Sequence, residues 1–473
     1  MRLDKQIESL KDELISAVQQ CVQFRSVKDV QQAAPGAPFG LGIQTCLEWT
    51  LDLGKNLGFE VKNVDGYAGQ IDMGSGELLG ILGHLDVVPE GEGWSVPPYS
   101  ATIKDGKLFG RGTLDDKGPT IAVLYAMKAI LDAQIPLNKR VRLILGTDEE
   151  SGWSDMDYYV KHEELPTSGF APDAGFPVIH AEKGILHLEL SKDCPDLPHL
   201  ISLSGGERAN VVPDQCVVKI KGFSQTLIQD SILDCGFPEG VSTLVDQVMD
   251  DEVVLIVHGA GAHGSLPQQG KNAVLYALKL LQRLPLSQEE QSLVAWILDH
   301  PGKGFYGEGL NVILEDEPSG KLTLNLGILQ IVNHHLRMII DIRYPVTFKQ
   351  EDILIPVEEI AHQNNLEVKI LDHHAAHFVP EDSILVQALL KAYSDVTGRE
   401  GYAYAIGGGT YAKVLPQGVA FGPLLPGAIE SIHCADEYIS IDNLLLTTKV
   451  YAEAILNLAC QRSEVGGRKS DRG

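Results

Sequence analysis

The chain has 473 residues, 44% hydrophobic and 22% charged, proportions that suit a globular protein with two or three cored domains. Its formal net charge of −26 argues against nucleic acid and anionic membranes as partners, since both require basic surface. Seven cysteines are scattered without CxxC spacing, which fits free thiols in a reducing compartment better than a disulfide framework.

The first predicted element is an amphipathic helix over 4–24, with Ile7, Leu10, Leu14, Ile15 and Val18 at helical spacing. This charged N-terminus lacks the apolar core of a signal peptide, and no 18-residue apolar run follows, so a cytoplasmic location is expected. After a loop containing "APGAPFG" comes a helix over 45–57, then "LLGILGHLDVV" as a buried strand, 118–133 as a helix and "VRLILGT" as a second strand. That alternation predicts an α/β layer domain. From about 186 to 376 the pattern mixes strands such as "VVLIVHG" and "HLRMIIDIRYP" with helices such as 272–284. A helix at "SILVQALLKAYSDVTG" restores the alternation to about 460, and the closing "SEVGGRKSDRG" reads as a disordered tail. The expected organisation is a first domain part over 1–185, a middle domain over 186–376 and a second part over 377–473, with the tail from about 463.

Candidate chemistry sits just after the strand-like runs, where open α/β sheets place their sites. "GHLDVVPEG" carries His84 and Asp86 two apart, so an extended chain turns both to one face and Asp86 can orient the imidazole. "GRGTLDDKGP" places Asp115 and Asp116 ahead of a helix, "GTDEESGW" sets Asp148, Glu149 and Glu150 in a row, and "APDAGFP" and "SIHCADEY" add Asp173 and His433. Taken singly, each has an ordinary explanation as a helix N-terminus, a turn or a solvated charge run. Together they form a mixed nitrogen and oxygen set suited to Zn²⁺, Mn²⁺ or Co²⁺, with more ligands than one tetrahedral ion needs. Two ions sharing a carboxylate would relieve the crowding at 148–150, with one glutamate as ligand and its neighbour as base. "AIGGGTYAK" lacks the context of a dinucleotide fingerprint, and its Gly408 and Gly409 suit close backbone approach to a substrate. No phosphate-binding loop, G-x-S-x-G elbow or H-E-x-x-H helix is present in the sequence.

Taken in order, "GHLDVVPEG", "GRGTLDDKGP", "GTDEESGW", "PDAGFP", "AHGSLPQQGKNA", "DIRYP", "GGGTYA" and "SIHCADEY" resemble the aminoacylase, carboxypeptidase G and acetylornithine deacetylase family of two-metal amidohydrolases, most closely its dipeptidase V branch. The resemblance implies a mixed-sheet α/β catalytic domain of aminopeptidase type, with a large inserted α+β lid over the middle segment. It implies one metal on His84, Asp115 and Asp173, a second on Asp115, Glu150 and His433, and a cis peptide between Asp115 and Asp116. Asp86 would orient His84, and Glu149 would be general base toward a metal-bridging hydroxide. His263 would reach the substrate carbonyl, and Asn210 and Arg343 would grip the terminal carboxylate. Zn²⁺ is the first expectation for the two ions, with Mn²⁺ and Co²⁺ as alternatives. The sequence departs from the family at Asp436, commonly Asn, and at Lys413, commonly Arg, which bears on substrate preference rather than on the ligands.

The leading expectation is a dipeptidase for short peptides with free amino and carboxyl ends, working as a monomer because the enlarged lid supplies His263 within one chain. An N-acyl amino-acid deacylase using the same metals is the second reading, and a non-catalytic metal- or peptide-binding protein the third. A two-carboxylate glycosidase fits worst, because it leaves the three histidines without a role.

Overall fold

The runs Leu78–Leu82 and Leu143–Leu145 contain no polar side chain, as strands covered on both faces do. They lie parallel and adjacent within a nine-stranded mixed sheet, inside the strands Glu77–His84 and Lys139–Gly146. The computed structural model describes residues 3–194, 197–249 and 251–460, and the expected polar tail lies outside them. A third strand, Ser168–Ala171, runs parallel on the other side of Glu77–His84. The register sets His84 opposite Gly146. All three chains therefore leave the same sheet edge, with Leu85–Asp86, Asp148–Glu150 and Asp173 just beyond it. The helix Lys117–Asp132 is buried almost all round and packs in the same apolar core as the helix Ile441–Ala459.

Residues up to His180, Phe378–Tyr404 and those from Thr410 onward form one compact unit; Ala181–His377 and Ala405–Gly409 form a second. The second unit holds an eight-stranded, wholly antiparallel sheet in the order Ser242–Met249, Glu252–His258, Gln215–Lys221, Leu200–Gly205, Thr323–Val332, His335–Tyr344, Gly184–Asp193, Glu367–His374. Its strands alternate: Leu186, Leu188 and Leu190 enter a core shared with the helices Ala273–Leu281, Gln288–Asp299 and Gln350–Gln363, and the residues between them turn to the other face.

The predicted element boundaries need three corrections. The helix expected over 4–24 is two, Asp4–Ser9 and Lys11–Val22. At the break the Leu10 amide is shared between the Gln6 and Ile7 carbonyls, and the Ser9 hydroxyl also donates to Gln6. The next helix starts at Leu41 rather than 45, entered through Gly40 at φ +112°. The glycine turn 405–409, expected in the second catalytic part, groups with the second unit, where the Lys183 amide donates to the Ile406 carbonyl and Arg343 to that of Gly407. No described helix is long and apolar enough to cross a membrane.

Candidate active site

His84 ends its strand fully buried, and its backbone amide donates to Asp116 Oδ2 at 3.1 Å. Its Nδ1 lies 3.0 Å from the Asp86 carbonyl oxygen and 3.5 Å from the Asp86 carboxylate. The nearer contact keeps a proton on Nδ1, which donates to the carbonyl, so Nε2 is the nitrogen that offers a lone pair to a cation once its own proton has left. Sequence reasoning assigned this orienting contact to the carboxylate, but the closer acceptor is the main chain. The Asp86 carboxylate instead receives the amides of Glu149 and Glu150, one on each oxygen and both at 3.1 Å.

His84 Nε2 is 3.0 Å from Asp115 Oδ1 and 3.6 Å from Asp173 Oδ2. On the other side of the same carboxylate, Asp115 Oδ2 is 3.0 Å from His433 Nε2, which is also 3.1 Å from Glu150. Asp115 thus divides its two oxygens between two imidazoles. His84 Nε2 and Asp115 Oδ1 are both buried without a hydrogen bond of acceptable angle, although they nearly touch. Two ligands about 2.0–2.1 Å from one tetrahedral ion lie about 3.3 Å apart, so the spacing is that of co-ligands. Ligand atoms of His84, Asp115 and Glu150, and likewise of His84, Glu149 and Asp173, come within 4.8 Å of one another. The residues present fit divalent metal. The peptide between Asp115 and Asp116 is cis.

The three consecutive acids have different partners. Asp148 is fully buried, receives Lys28 Nζ at 2.6 Å and accepts the Ser154 amide at 3.1 Å, so it shapes the turn. Glu149 and Glu150 face the cluster. Burial, followed by the charge of Asp173, pushes Glu149 well above the usual carboxylate range. Burial and the charge of Asp115 raise Glu150 to about 7. Burial opposes ionisation of Asp115 as well, yet His433 and His84 hold it far below its ordinary value. Partial desolvation where the ring meets the cluster disfavours charge on His433, whose side chain is half exposed, but Asp115 and Glu150 lift it to about 11. Without a cation, protons on the imidazoles serve as the counter-charge for the acids.

The expected substrate-contacting residues Asn210, His263, Arg343, Gly408 and Gly409 all lie in the second unit. The Gly264 amide donates to the Asn210 carbonyl at 2.7 Å, and Val211 pairs with His263 as an isolated bridge. His263 Nδ1 lies 2.7 Å from Ser265 Oγ and accepts the Ser265 amide at 3.2 Å. A main-chain N–H can only donate, so the neutral imidazole carries its proton on Nε2. Arg343 is buried: Nε and Nη2 hold Asp341 at 2.7 and 2.9 Å, and Nη1 donates to Gly407 at 2.9 Å. Three of its five N–H groups are spent in these bonds, and the other two lie one on each Nη.

Two supporting acids escaped sequence reasoning. Glu437 is fully buried; its Oε1 accepts the amides of Gly112, Leu114 and Asp115, and its Oε2 meets Arg111 Nη1 at 2.6 Å. It therefore ties the loop bearing Asp115 to the loop bearing His433. Asp341 does the corresponding work for Arg343. The available signal was membership of the quoted motifs, Glu437 in "SIHCADEY" and Asp341 at the head of "DIRYP". Asp436, one of the noted departures, accepts the Ser95 amide at 2.8 Å and the Ser95 hydroxyl at 3.0 Å, so its charge is spent on that loop.

Residues 80–457 match the family model described as peptidase family M20/M25/M40. The chain belongs to that family. As an M20 chain it is a metal-dependent peptidase. A Bacillus subtilis (strain 168) protein named "Putative dipeptidase YtjP" is 40% identical, covering 97% of this chain and 100% of that protein. Among solved structures, human carnosine dipeptidase 1 aligns over 96% of this M20 chain and 98% of its own, with TM-score 0.56 and 16% identity. The di-peptidase Dug1p of Saccharomyces cerevisiae aligns over 96% and 97%, with TM-score 0.55 and 14% identity. At such identities these structures show a shared fold.

Proposed function

We propose that this M20 chain is a two-metal dipeptidase for short peptides with free amino and carboxyl ends. The observation that carries the reading is the division of the Asp115 oxygens between His84 and His433, each at 3.0 Å, with buried ligand atoms left unbonded. His84, Asp115 and Asp173 would hold one ion, and Asp115, Glu150 and His433 the other, with Zn²⁺ first and Mn²⁺ or Co²⁺ as alternatives. When bound, such ions polarise the scissile carbonyl and lower the pKa of the attacking water.

The chain's own residues do the rest. Glu149 has a raised proton affinity, caused first by burial and then by Asp173, which suits a group that takes a proton from water and returns it to the leaving amine. Asp86 holds the main chain of Glu149 and Glu150 in place through their amides. His263, with its proton on Nε2, is assigned as donor to the substrate carbonyl oxygen. The two remaining N–H groups of Arg343, together with Asn210, are assigned to the peptide carboxylate, and Gly408 and Gly409 to close main-chain approach. Activity as a monomer belongs to this reading, with His263 supplied from within the chain. The dipeptidase name of the Bacillus subtilis relative favours this reading over an N-acyl amino-acid deacylase.

The test is hydrolysis of Ala-Ala, Leu-Leu, β-Ala-His, N-acetyl-Ala and Ala-Ala-Ala by metal-stripped chain with one ion restored at a time. Cleavage of free dipeptides only after metal returns is expected. Turnover of N-acetyl-Ala alone would make the chain a deacylase instead.

A further inference from the structure

In the sheet of the second unit, one row of side chains is polar while the row beside it is core. Leu186, Leu188, Ile340 and Ile342 enter the apolar interior. Between them, His187 and Asp341 sit directly opposite one another on neighbouring strands. Asn325 flanks the pair on the next strand beyond Asp341, and Asp372 on the next strand beyond His187. Period-two alternation places such a cross-strand row on one face.

The row is connected to Arg343 and to main chain beside Asn210 and His263. Asp341 holds the Arg343 fork with both oxygens. Asn325 Nδ2 donates to the carbonyls of Ala209 and Val211, at 2.9 and 3.0 Å, on either side of Asn210. Gly264, next to His263, packs so closely on Asp341 that an added Cβ would lie 2.5 Å from Oδ2. His187 stands between two carboxylates in ion-pair contact, with Nε2 3.3 Å from Asp341 Oδ1 but without a hydrogen bond of acceptable angle, and Nδ1 3.7 Å from Asp372 Oδ2. His374 in turn lies 3.4 Å from Asp372. Although burial opposes the charge of Asp341, Arg343 and His187 keep it below the usual carboxylate range.

We propose that His187 is a positioning residue for substrate binding: set between Asp341 and Asp372, it fixes the plane of the Asp341 carboxylate and thereby the angle of the Arg343 fork that receives the peptide carboxylate. The inference rests on the assignment of Arg343 to that carboxylate. A bidentate pair needs both planes aligned, so a carboxylate freed to rotate loosens the guanidinium it holds. His187 touches no reacting atom in this account, so its removal acts on substrate affinity and on discrimination between a charged and a neutral peptide end.

The experiment uses the metal-loaded full chain and compares KM for Ala-Ala with the inhibition constant of Ala-Ala amide as competitor. His187→Ala is expected to raise KM for Ala-Ala about fivefold, the scale of losing one close contact between charged partners, with kcat within about twofold and the amide's inhibition constant unchanged. His187→Gln, which keeps a donor, should restore most of the affinity, and Asp372→Asn should give an effect of about twofold to threefold in the same direction. Equal weakening of the dipeptide and the amide, or a fall in kcat that tracks a lowered melting temperature, would overturn the inference and make His187 purely structural. Arg343→Gln separates the two readings. If it leaves the discrimination intact, the Arg343 assignment fails whatever His187 does; if it abolishes discrimination while His187→Ala does not, only the His187 inference fails.

Discussion

Replacing Asp86 with Asn probes how the acidic turn is held, because the substitution keeps shape and removes charge. Asp86 is buried and accepts the Glu149 and Glu150 amides at 3.1 Å, one on each carboxylate oxygen. Hydrogen bonds to a charged acceptor contribute about 1.5–3 kcal/mol each. Asn retains one acceptor and presents an N–H₂ to the other amide, so one bond is lost and a donor–donor clash is gained, a cost of about 2–4 kcal/mol. The turn that is loosened carries an assigned ligand and the assigned base, and loss of such support typically costs 10–100-fold in metal affinity. Calorimetric titration of the metal-stripped variant, alongside denaturant unfolding of the same metal-free protein, measures both quantities. Asp86→Asn binding metal within about twofold of the parent, at unchanged stability, would refute the argument that these two amide contacts organise the site.

Glu437→Gln leaves the buried Arg111 guanidinium without its counter-charge and should cost about 3–5 kcal/mol, read as a fall in melting temperature accompanied by weaker metal binding. Glu149→Gln should retain metal content while kcat for Ala-Ala drops by a factor of about 10²–10⁴; loss of bound metal instead would make Glu149 a ligand, a role its proximity to His84 and Asp173 also allows. Metal binding should release protons: against partial desolvation of its ring, Asp115 and Glu150 raise the half-exposed His433 to about 11, so below that pH the metal-free imidazole is charged, and ligation requires its lone pair. Apparent affinity should therefore rise with pH through the neutral range, and titrations in buffers of different ionisation enthalpy should show proton release; a pH-independent affinity would contradict the assignment of His433.

The centre of the fold was legible because both-face burial writes unbroken apolar runs at 78–82 and 143–145, and parallel strands end at one edge. His84, Glu149, Glu150 and Asp173 follow from that edge. The order of motifs added the pairing of ligands around Asp115, which no local pattern contains. What escaped was support from far along the chain. Glu437 serves amides more than 300 residues before it, and a buried acid satisfied by main chain leaves no periodic trace. Asp341 was hidden inside a strand whose neighbours read as core. The glycine turn 405–409 was allotted by sequence position, whereas its carbonyls bond Lys183 and Arg343. The break at Leu10 reflects a serine hydroxyl competing for one carbonyl, a local effect too small to interrupt the apolar spacing.

The most direct test of the central reading is a titration of metal-stripped chain with Zn²⁺ or Mn²⁺, following bound metal and Ala-Ala hydrolysis in the same samples. The two-ion dipeptidase account predicts no turnover without metal and a rate that reaches its plateau only as the second equivalent binds. Full hydrolysis with one ion per chain, or with none, would contradict it.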